Sequence, residues 1–231
     1  MHLTHLAAFY LSISITAEAC GNGAVFVDQF DVDVHDLNTT GSNPFFILEP
    51  GYQLVLESDD GRNRLTITVL EETRTIDGVE TRVVEEREEE DGNLVEVSRN
   101  YFAINAPAGD VYYFGEDVDI YREGKVVDHE GSWLSGTNGA RFGLMMSGQP
   151  VVGSRYYQEI APRVAMDRAS VVDVDAIVQT PAGRFTGVLA VAETTPLEPL
   201  TKEYKYYARS VGLLQDGDLL LTRFTRKTAA P

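Results

Sequence analysis

Pairs of turn-forming residues recur along the chain, between runs of β-branched and aromatic residues. Asp-Gly occurs at 60–61, 77–78, 91–92 and 216–217, Glu-Gly at 123–124 and Ala-Gly at 182–183. An Asp-Gly pair suits a type I′ hairpin because both central residues take positive φ, which glycine and aspartate tolerate. Successive hairpins place sequence neighbours side by side in space. The chain is therefore predicted to be all-β, with a single long antiparallel sheet curved into a half-barrel or barrel-like meander, and with little helix.

The two-residue periodicity predicts a single β domain over residues 51–231. Predicted strands include 52–58, 64–76, 79–90, 93–104, 183–194, 202–208 and 219–224. Residues 20–50 are more polar and are predicted to be a tether or a first strand. The formal net charge is −17, from 36 acidic and 19 basic side chains. The glutamate-rich stretch 85–90 is expected to project beyond the sheet or to lie on a solvated edge, where like charges discourage aggregation.

Residues 131–153 interrupt this pattern. Six glycines remove strand character, while Trp133, Phe142, Met145 and Met146 make the segment too apolar for a solvated linker. Long loops of this kind often cover or form binding sites. The segment is therefore predicted to be a glycine-rich loop, either a lid over a cavity of the curved sheet or a plug that fills one open end.

Residues 1–19 have the features of a secretory signal peptide. An apolar run from Leu6 to Ala17 leads into an A-x-A cleavage pattern at 17–19. This pattern predicts a protein that is secreted, or exported to the periplasm or cell envelope. Cys20, the only cysteine, follows directly and would be the lipidated residue of a lipoprotein. Glu18 is unusual in a bacterial lipoprotein signal, so both a lipid anchor at Cys20 and an unmodified cysteine stay open.

The sequence contains no motif that specifies a reaction. It has no P-loop and no G-x-S-x-G elbow, and one cysteine excludes zinc-finger and dithiol chemistry. The catalytic candidates are His129, Glu130, Glu159 and Asp167. His129 is flanked by acids, and a histidine in such a setting can act as a general base or a metal ligand. The alternative is a surface histidine at the end of a strand.

Paired aspartates are the candidates for a metal site. Asp-Val-Asp occurs at 31–33, 117–119 and 173–175. On a strand, Asp117 and Asp119 share a face at about 7 Å, a spacing at which two carboxylates can bind calcium. The alternative is an ordinary amphipathic strand with acids outward and valine inward. No cofactor other than calcium is suggested.

Aromatic residues and methionines are the candidates for ligand binding. Tyrosine pairs occur at 112–113, 156–157 and 206–207, and one member of each pair faces inward if it lies on a strand. The predicted ligand-binding residues are Trp133, Phe142, Met145, Met146, Tyr157 and Tyr207. The alternative for these side chains is packing across the sheet.

The closing segment carries a family resemblance. Residues 203–213, Glu-Tyr-Lys-Tyr-Tyr-Ala-Arg-Ser-Val-Gly-Leu, are followed by Asp-Gly-Asp-Leu at 216–219. They resemble the last strands of a group of secreted bacterial domains that end in Trp/Tyr-Tyr-Ala-x-x-Val-Gly-Leu. Those domains are similar in architecture to the LolA/LppX-type half-barrel of envelope lipoprotein carriers. The resemblance implies a strongly curved antiparallel sheet that binds lipid-like ligands on an apolar concave face, and it transfers no catalytic residue.

These observations predict an exported binding protein that holds an apolar or amphipathic small molecule on the concave face of its sheet. The acidic composition disfavours nucleic acid and anionic membranes as partners, because both bind through lysine and arginine. A membrane is expected as a partner only through a lipid anchor at Cys20. The alternatives are a carboxylate-based enzyme or calcium-dependent module, and a structural or adhesion module.

Overall fold

The structure, a computed structural model, describes residues 25–41 and 43–225. The predicted signal peptide and Cys20 lie outside these residues. The strands are β1 (Leu37–Asn38), β2 (Gln53–Glu57), β3 (Asn63–Ile76), β4 (Val79–Glu90), β5 (Asn93–Asn105), β6 (Val111–Arg122), β7 (Lys125–Asp128), β8 (Trp133–Leu134), β9 (Arg141–Met146), β10 (Arg155–Tyr157), β11 (Glu159–Ile160), β12 (Arg168–Thr180), β13 (Gly183–Thr195), β14 (Glu198–Ala208), β15 (Gly212–Asp216) and β16 (Leu219–Thr225). One short 3-10 helix, Val34–Asp36, is the only helical element in the described residues. None of the helical structure described there has the length and apolar character needed to cross a bilayer.

All sixteen strands belong to one antiparallel sheet that nearly closes into a barrel. Its order is β10-β12-β13-β14-β15-β16-β2-β3-β4-β5-β6-β9-β11, while β1 pairs with β5, and β7 and β8 pair with β6. The two ends of this path, β10 and β11, belong to one stretch of chain, residues 155–160, which we call the seam segment. β10 pairs with β12 and β11 pairs with β9, so this segment joins the two edges of the sheet. The prediction of an all-β, curved antiparallel sheet with little helix is confirmed.

The predicted turns connect hairpins, with two kinds of geometry. At 77–78, 91–92 and 123–124 both residues have positive φ, between 49° and 80°, as a type I′ turn requires. These turns join β3 to β4, β4 to β5, and β6 to β7. At 60–61, 182–183 and 216–217 only the glycine has positive φ. Turn chemistry therefore identifies where the chain reverses at all six positions, although the turn type differs.

The sheet packs apolar side chains on both of its faces. The larger cluster fills the barrel interior and includes Leu56, Val84 and Ile104, each at most 2% exposed. A smaller cluster lies on the outer face around Tyr101, Tyr112 and Phe114, where Phe30 covers it. Residues 25–41, predicted to be a tether or a first strand, thus pack against the outside of the barrel and contribute β1. The ring centroids of Phe30 and Tyr112 lie 5.9 Å apart.

The glycine-rich segment 131–153 contributes to the barrel wall. β8 and β9 both pair with β6, and β9 also pairs with β11. This corrects the expectation of a lid loop without strand character. The glycines at 143 and 148 permit close backbone contact: a Cβ at Gly148 would lie 3.0 Å from the carbonyl carbon of Gly109.

The stretch 85–90 lies within β4, which has β3 on one side and β5 on the other. This corrects the expectation that these glutamates project beyond the sheet or occupy an edge. Side chains alternate along the strand, so Glu86 faces the interior beside Ile67 and Val84. Glu85 faces outward, with Oε2 3.5 Å from Nη2 of Arg99. Two of the five glutamates in the stretch, Glu86 and Glu88, are therefore directed into the barrel.

Candidate functional site

The barrel interior changes from apolar to charged along its strands. On β4 the inward residue Val84 is followed by Glu86, and on β13 Val191 is followed by Glu193. The strand registers align these changes, pairing Glu88 with Glu96, Asn100 with Glu116, and Lys205 with Asp216. The charged side chains therefore form a continuous band that we call the acidic layer. It consists of Glu86, Glu88, Glu96, Glu116, Glu159, Glu193, Lys205 and Asp216.

A cavity of about 80 Å³ lies where the apolar interior meets the acidic layer. Most of its wall is apolar, and includes Leu54, Ile67, Val69, Val84, Met145 and Tyr207. Glu86, Lys205 and Asp216 supply the charged part of the wall. A single water molecule needs only about 10–15 Å³ of such accessible space. The cavity therefore has room for a small organic group with apolar surroundings on one side and charges on the other.

Lys205 is the centre of an ion-pair network in the acidic layer. Its Nζ lies 3.1 Å from Oε2 of Glu193 and 3.4 Å from Oδ2 of Asp216. Burial alone would lower the pKa of Lys205, but Asp216 and Glu193 raise it well above its usual value. The ammonium group therefore stays charged and compensates the two carboxylates that it contacts.

Glu86 and Glu88 ionise less readily than ordinary glutamates. Burial is the main cause that raises the pKa of each to about 7. Asp216 and Glu96 raise both pKa values further, and Lys205 opposes the rise. Near neutral pH, each of these two side chains is therefore partly protonated and partly ionised.

Glu116 and Glu159 lie close enough together near the seam segment for the charge of Glu116 to act on Glu159. Burial raises the pKa of Glu116 to about 8, while the nearby Tyr113 hydroxyl opposes the rise. Burial also raises the pKa of Glu159 well above its usual value, and the charges of Glu116 and Asp167 add to it. The nearby Trp133 indole opposes that rise, although its Nε1 forms no hydrogen bond with the Glu159 carboxyl group. Carboxyl groups from β6, from β11 and from the residue directly before β12 are thus brought near one another.

Four buried polar atoms on inward-facing residues near this seam have no hydrogen-bond partner among the described residues. They are Trp133 Nε1, Tyr156 Oη, Gln158 Oε1 and Glu159 Oε2. Their residues are between 3% and 6% exposed. The other end of the Gln158 amide, Nε2, donates to Oε1 of Glu193 at 2.8 Å, which directs this side chain toward the acidic layer. A buried polar atom without a partner costs about 1–3 kcal/mol, so a molecule that pairs with these atoms would be stabilised here.

The barrel brings several of the predicted site residues together. Trp133 and Glu159 lie inside near the seam, and Met145 and Tyr207 line the cavity. The Trp133 ring packs edge-on against Tyr113, with centroids 5.3 Å apart. Two further candidates lie close by. Met146 is a core residue at 1% exposure, and Asp167 is an exposed residue whose backbone oxygen accepts from Gln158 N at 2.8 Å.

Two predicted ligand-binding residues lie on the outside of the barrel. Phe142 stacks on Phe114, with ring centroids 4.8 Å apart, and Tyr157 packs against Phe26 at 6.1 Å. The sequence had suggested that these two residues line the concave face, and the structure places them on the opposite side of the sheet. The physical reason is strand alternation: in the 156–157 pair, Tyr156 takes the inward position, so Tyr157 points outward.

His129 and Glu130 are exposed residues on the outer surface. The Nδ1 atom of His129 lies 2.8 Å from the backbone oxygen of Val118 and 3.0 Å from Oδ1 of Asp119. The structure therefore does not bring these two candidates together with Glu159 and Asp167.

Asp117 and Asp119 share the outer face of β6, with Val118 turned inward. Asp117 accepts hydrogen bonds from Arg74 and from the Tyr101 hydroxyl, the latter at 2.7 Å. Asp119 accepts from Arg99 at 3.2 Å. Within the residues that the structure describes, no group of three or more histidine, cysteine, aspartate or glutamate side chains is arranged to hold a metal ion.

Most of the acidic layer was not identified from the sequence. The residues missed are Glu86, Glu88, Glu96, Glu116, Glu193, Lys205 and Asp216. The signal that could have found them is a change from apolar to charged residues along one face of a strand. On several strands, alternate positions run from apolar to charged, as in Val84, Glu86 and Glu88. A flat sheet offers no reason for this change, whereas a barrel with an amphipathic interior does.

Replacing Lys205 by methionine is expected to lower the free energy of unfolding by about 2 kcal/mol at pH 8, and by less at pH 5. Removing one partner of a fully buried ion pair costs about 3–5 kcal/mol. We expect a smaller loss because the Lys205 side chain is 24% exposed and the carboxyl groups that it leaves can take up protons. Urea unfolding at the two pH values measures the difference.

Lys202→Met is the matched control for this change. Lys202 lies on the same strand, is exposed, and contacts the face of Tyr204 with its Nζ 4.9 Å from the ring centroid. Its replacement should change the free energy of unfolding by no more than about 0.5 kcal/mol. Equal effects of the two substitutions, or a Lys205→Met effect that does not depend on pH, would contradict the ion-pair network.

The described strands thus form an all-β, nearly closed antiparallel barrel whose interior is apolar in one part and charged in the next. No family model matches the chain, and comparisons with curated proteins and with solved structures found no match either.

Proposed function

We propose that the protein binds a small amphipathic molecule inside its barrel, with the apolar part in the cavity and the polar part at the acidic layer. The observation that carries this proposal is the cavity of about 80 Å³, whose apolar wall is interrupted by Glu86, Lys205 and Asp216. Small-molecule sites are commonly of this kind, mostly apolar with a few polar groups that set orientation. Apolar surface buried on binding contributes about 25 cal/mol per Å².

We extend the proposal to an exported protein, secreted or held in the periplasm or cell envelope. The signal-peptide features of residues 1–19 support this location, and Cys20 is the candidate for a lipid anchor. The resemblance of the closing segment to LolA/LppX-type half-barrels supports a carrier of lipid-like molecules. The acidic layer is a feature that this resemblance did not imply, and it argues for a ligand that is not wholly apolar.

Filling the cavity tests the proposal. Met145→Trp places a larger side chain in the cavity wall and is expected to weaken octanol binding by about tenfold or more, equivalent to about 1.4 kcal/mol. Isothermal titration calorimetry measures the affinity, and native mass spectrometry of the purified protein detects a ligand that copurifies with it. Val152→Trp is the control, because Val152 is 55% exposed. If the wild-type protein binds no octanol and carries no ligand, or if Met145→Trp binds octanol as the wild type does, the cavity is not a binding site.

A carboxylate-based enzyme is the second candidate. It is favoured by the raised pKa values of Glu116, to about 8, and of Glu159, which the charge of Glu116 raises further, because carboxyl groups tuned in this way act as general acids. Under this alternative, Glu159→Gln abolishes turnover of a chromogenic glycoside or ester while octanol binding persists. A wild-type protein that turns over neither substrate class removes this candidate. Calcium dependence and an adhesion role stay predictions, and stabilisation by calcium but not magnesium would support the first.

A further inference from the structure

The acidic layer has more carboxyl groups than its one cation can balance. Lys205 is already engaged by Glu193 and Asp216. No cation is among the groups that act most strongly on Glu116 or Glu159. Carboxylates in such surroundings are neutralised either by protons or by a positively charged ligand.

The hydrogen-bonding capacity of the seam adds an independent constraint. Glu159 Oε2 and Gln158 Oε1 have no partner among the described residues, and their residues are only 6% and 4% exposed. The Gln158 oxygen can only accept hydrogen bonds, and so can the Glu159 carboxylate once it is ionised. The Tyr156 hydroxyl can do either, and among the inward atoms Trp133 Nε1 requires an acceptor; the unpaired Nε of Arg168 lies on the outer side, beside Tyr157. The unpaired atoms at the seam therefore call mainly for a group that donates N–H or O–H bonds.

On the basis of the proposed function, we infer that the polar part of the ligand is a cation with N–H donors, such as a primary ammonium or a guanidinium group. It would be bound between Glu116, Glu159 and Gln158, with the apolar part of the same molecule in the cavity lined by Met145, whose sulfur lies 3.7 Å from Gln158 Nε2. A quaternary ammonium group has the charge but lacks the donors, and is expected to bind less tightly.

Binding of this cation should displace protons from the acidic layer. The groups that act most strongly on Glu116 and Glu159 besides each other are Tyr113, Trp133, Glu86, Glu96 and Asp167, and none of these carries a positive charge. A bound cation favours the ionised carboxylates, so affinity should tighten between pH 6 and pH 8, by up to about tenfold per pH unit for each proton released. Alkyl ammonium groups resemble lysine, whose pKa is about 10.4, and stay charged over this range.

Four probes with the same alkyl chain separate the ligand classes: octylamine, octyltrimethylammonium, octanol and octanoate. Calorimetric titration at pH 6 and pH 8 is expected to show octylamine binding at least about tenfold more tightly than octanol at pH 8, with protons released in proportion. Octanol or octanoate binding as tightly as octylamine overturns this inference and leaves the proposed function standing. Binding of none of the four overturns both. Tight binding of octyltrimethylammonium equal to that of octylamine overturns the requirement for N–H donors.

Neighbouring carboxyl groups of β6 provide a matched pair of variants. Glu116→Gln is expected to weaken octylamine binding by about tenfold, and to weaken octylamine binding more than octanol binding. Asp117→Asn alters the next residue, which lies on the outer face, and should change neither. If Glu116→Gln does not fold, proton release by the wild-type protein, measured in two buffers of different ionisation enthalpy, still decides the question. Octylamine binding without proton release overturns the inference.

Discussion

The free energy of unfolding is expected to fall by about 3 kcal/mol or more as the pH rises from about 4.5 to about 8. The pKa values of Glu86 and Glu88 are raised to about 7, and that of Glu116 to about 8, from an ordinary value of 4.5. Between these limits the folded protein therefore binds more protons than the unfolded chain. Stability from these groups is fully present below pH 4.5 and is lost as the pH rises through 7 and 8. Each unit of pKa difference corresponds to about 1.4 kcal/mol.

Carboxyl groups with lowered pKa values act at the other end of the scale. The Ser58 hydroxyl lowers the pKa of Asp60, and Arg62 lowers that of Asp91. Their stabilising contribution is present above the unfolded pKa and is lost as the pH falls through the folded one, below the usual 3.8. The protein should therefore be most stable at moderately acidic pH.

Urea unfolding at pH 5, 6, 7 and 8 measures this dependence. The double variant Glu86→Gln with Glu116→Gln should flatten it, because neutral amides replace two of the groups that take up protons. Glu80→Gln, an exposed position on the same strand as Glu86, is the control and should keep the wild-type slope. Stability that increases between pH 5 and pH 8, or an unchanged slope in the double variant, would show that these carboxyl groups ionise normally.

Replacing Gly143 by alanine is expected to lower the free energy of unfolding by about 3 kcal/mol, the upper part of the range for overpacking. Gly143 lies in β9 where the seam segment crosses it. A Cβ there would lie 2.5 Å from the carbonyl carbon of Gln158 and 2.6 Å from the carbonyl oxygen of Tyr157. Both are backbone atoms, so no side-chain rotation relieves the clash. The seam must separate from β9, which disturbs the positions of Gln158 and Glu159.

Gly139→Ala separates this steric effect from backbone strain. Gly139 lies in the same glycine-rich segment, has φ +80°, and has no atom within 4 Å of an added Cβ. Its replacement should cost only the left-handed backbone penalty of about 1–2 kcal/mol. Urea unfolding measures both variants, and amide exchange at Tyr157, whose N–H donates to Val27 O at 2.9 Å, reports opening at the seam. Equal stability of the two variants would mean that the crossing is looser than the structure indicates.

The acidic layer differs from a hydrophobic core in how it tolerates charge. A carboxylate isolated in an apolar interior costs several kcal/mol, and proteins respond by protonating it. Glu86 and Glu88 are half-buried rather than fully enclosed, and Lys205 balances part of the charge. The same features that reduce this cost also make the layer responsive to pH and to a charged ligand, which links the stability prediction to the inferred ligand class.

Local sequence determined the strands and the places where the chain reverses. The predicted strand 79–90 matches β4, and 64–76 matches β3 to within one residue. Both depend on interactions between residues close in sequence, namely Asp-Gly turns and two-residue alternation. The outward aspartates of β6 around a buried Val118 also follow from alternation alone.

Only the tertiary structure decided which face of each strand is enclosed and what it encloses. Alternation divides the glutamates of β4 into two sets, but closure by the seam segment is what places Glu86 and Glu88 inside. The glycines of 131–153 indicated a loop, but glycine is also used where two backbone segments come into close contact. The close contact of residues 157–158 with β9 shows that Gly143 has this second role. The candidate site joins three parts of the chain that are distant in sequence: β4 to β6, β11, and β13 to β15. Its composition therefore depends on long-range register and closure, which no local pattern encodes.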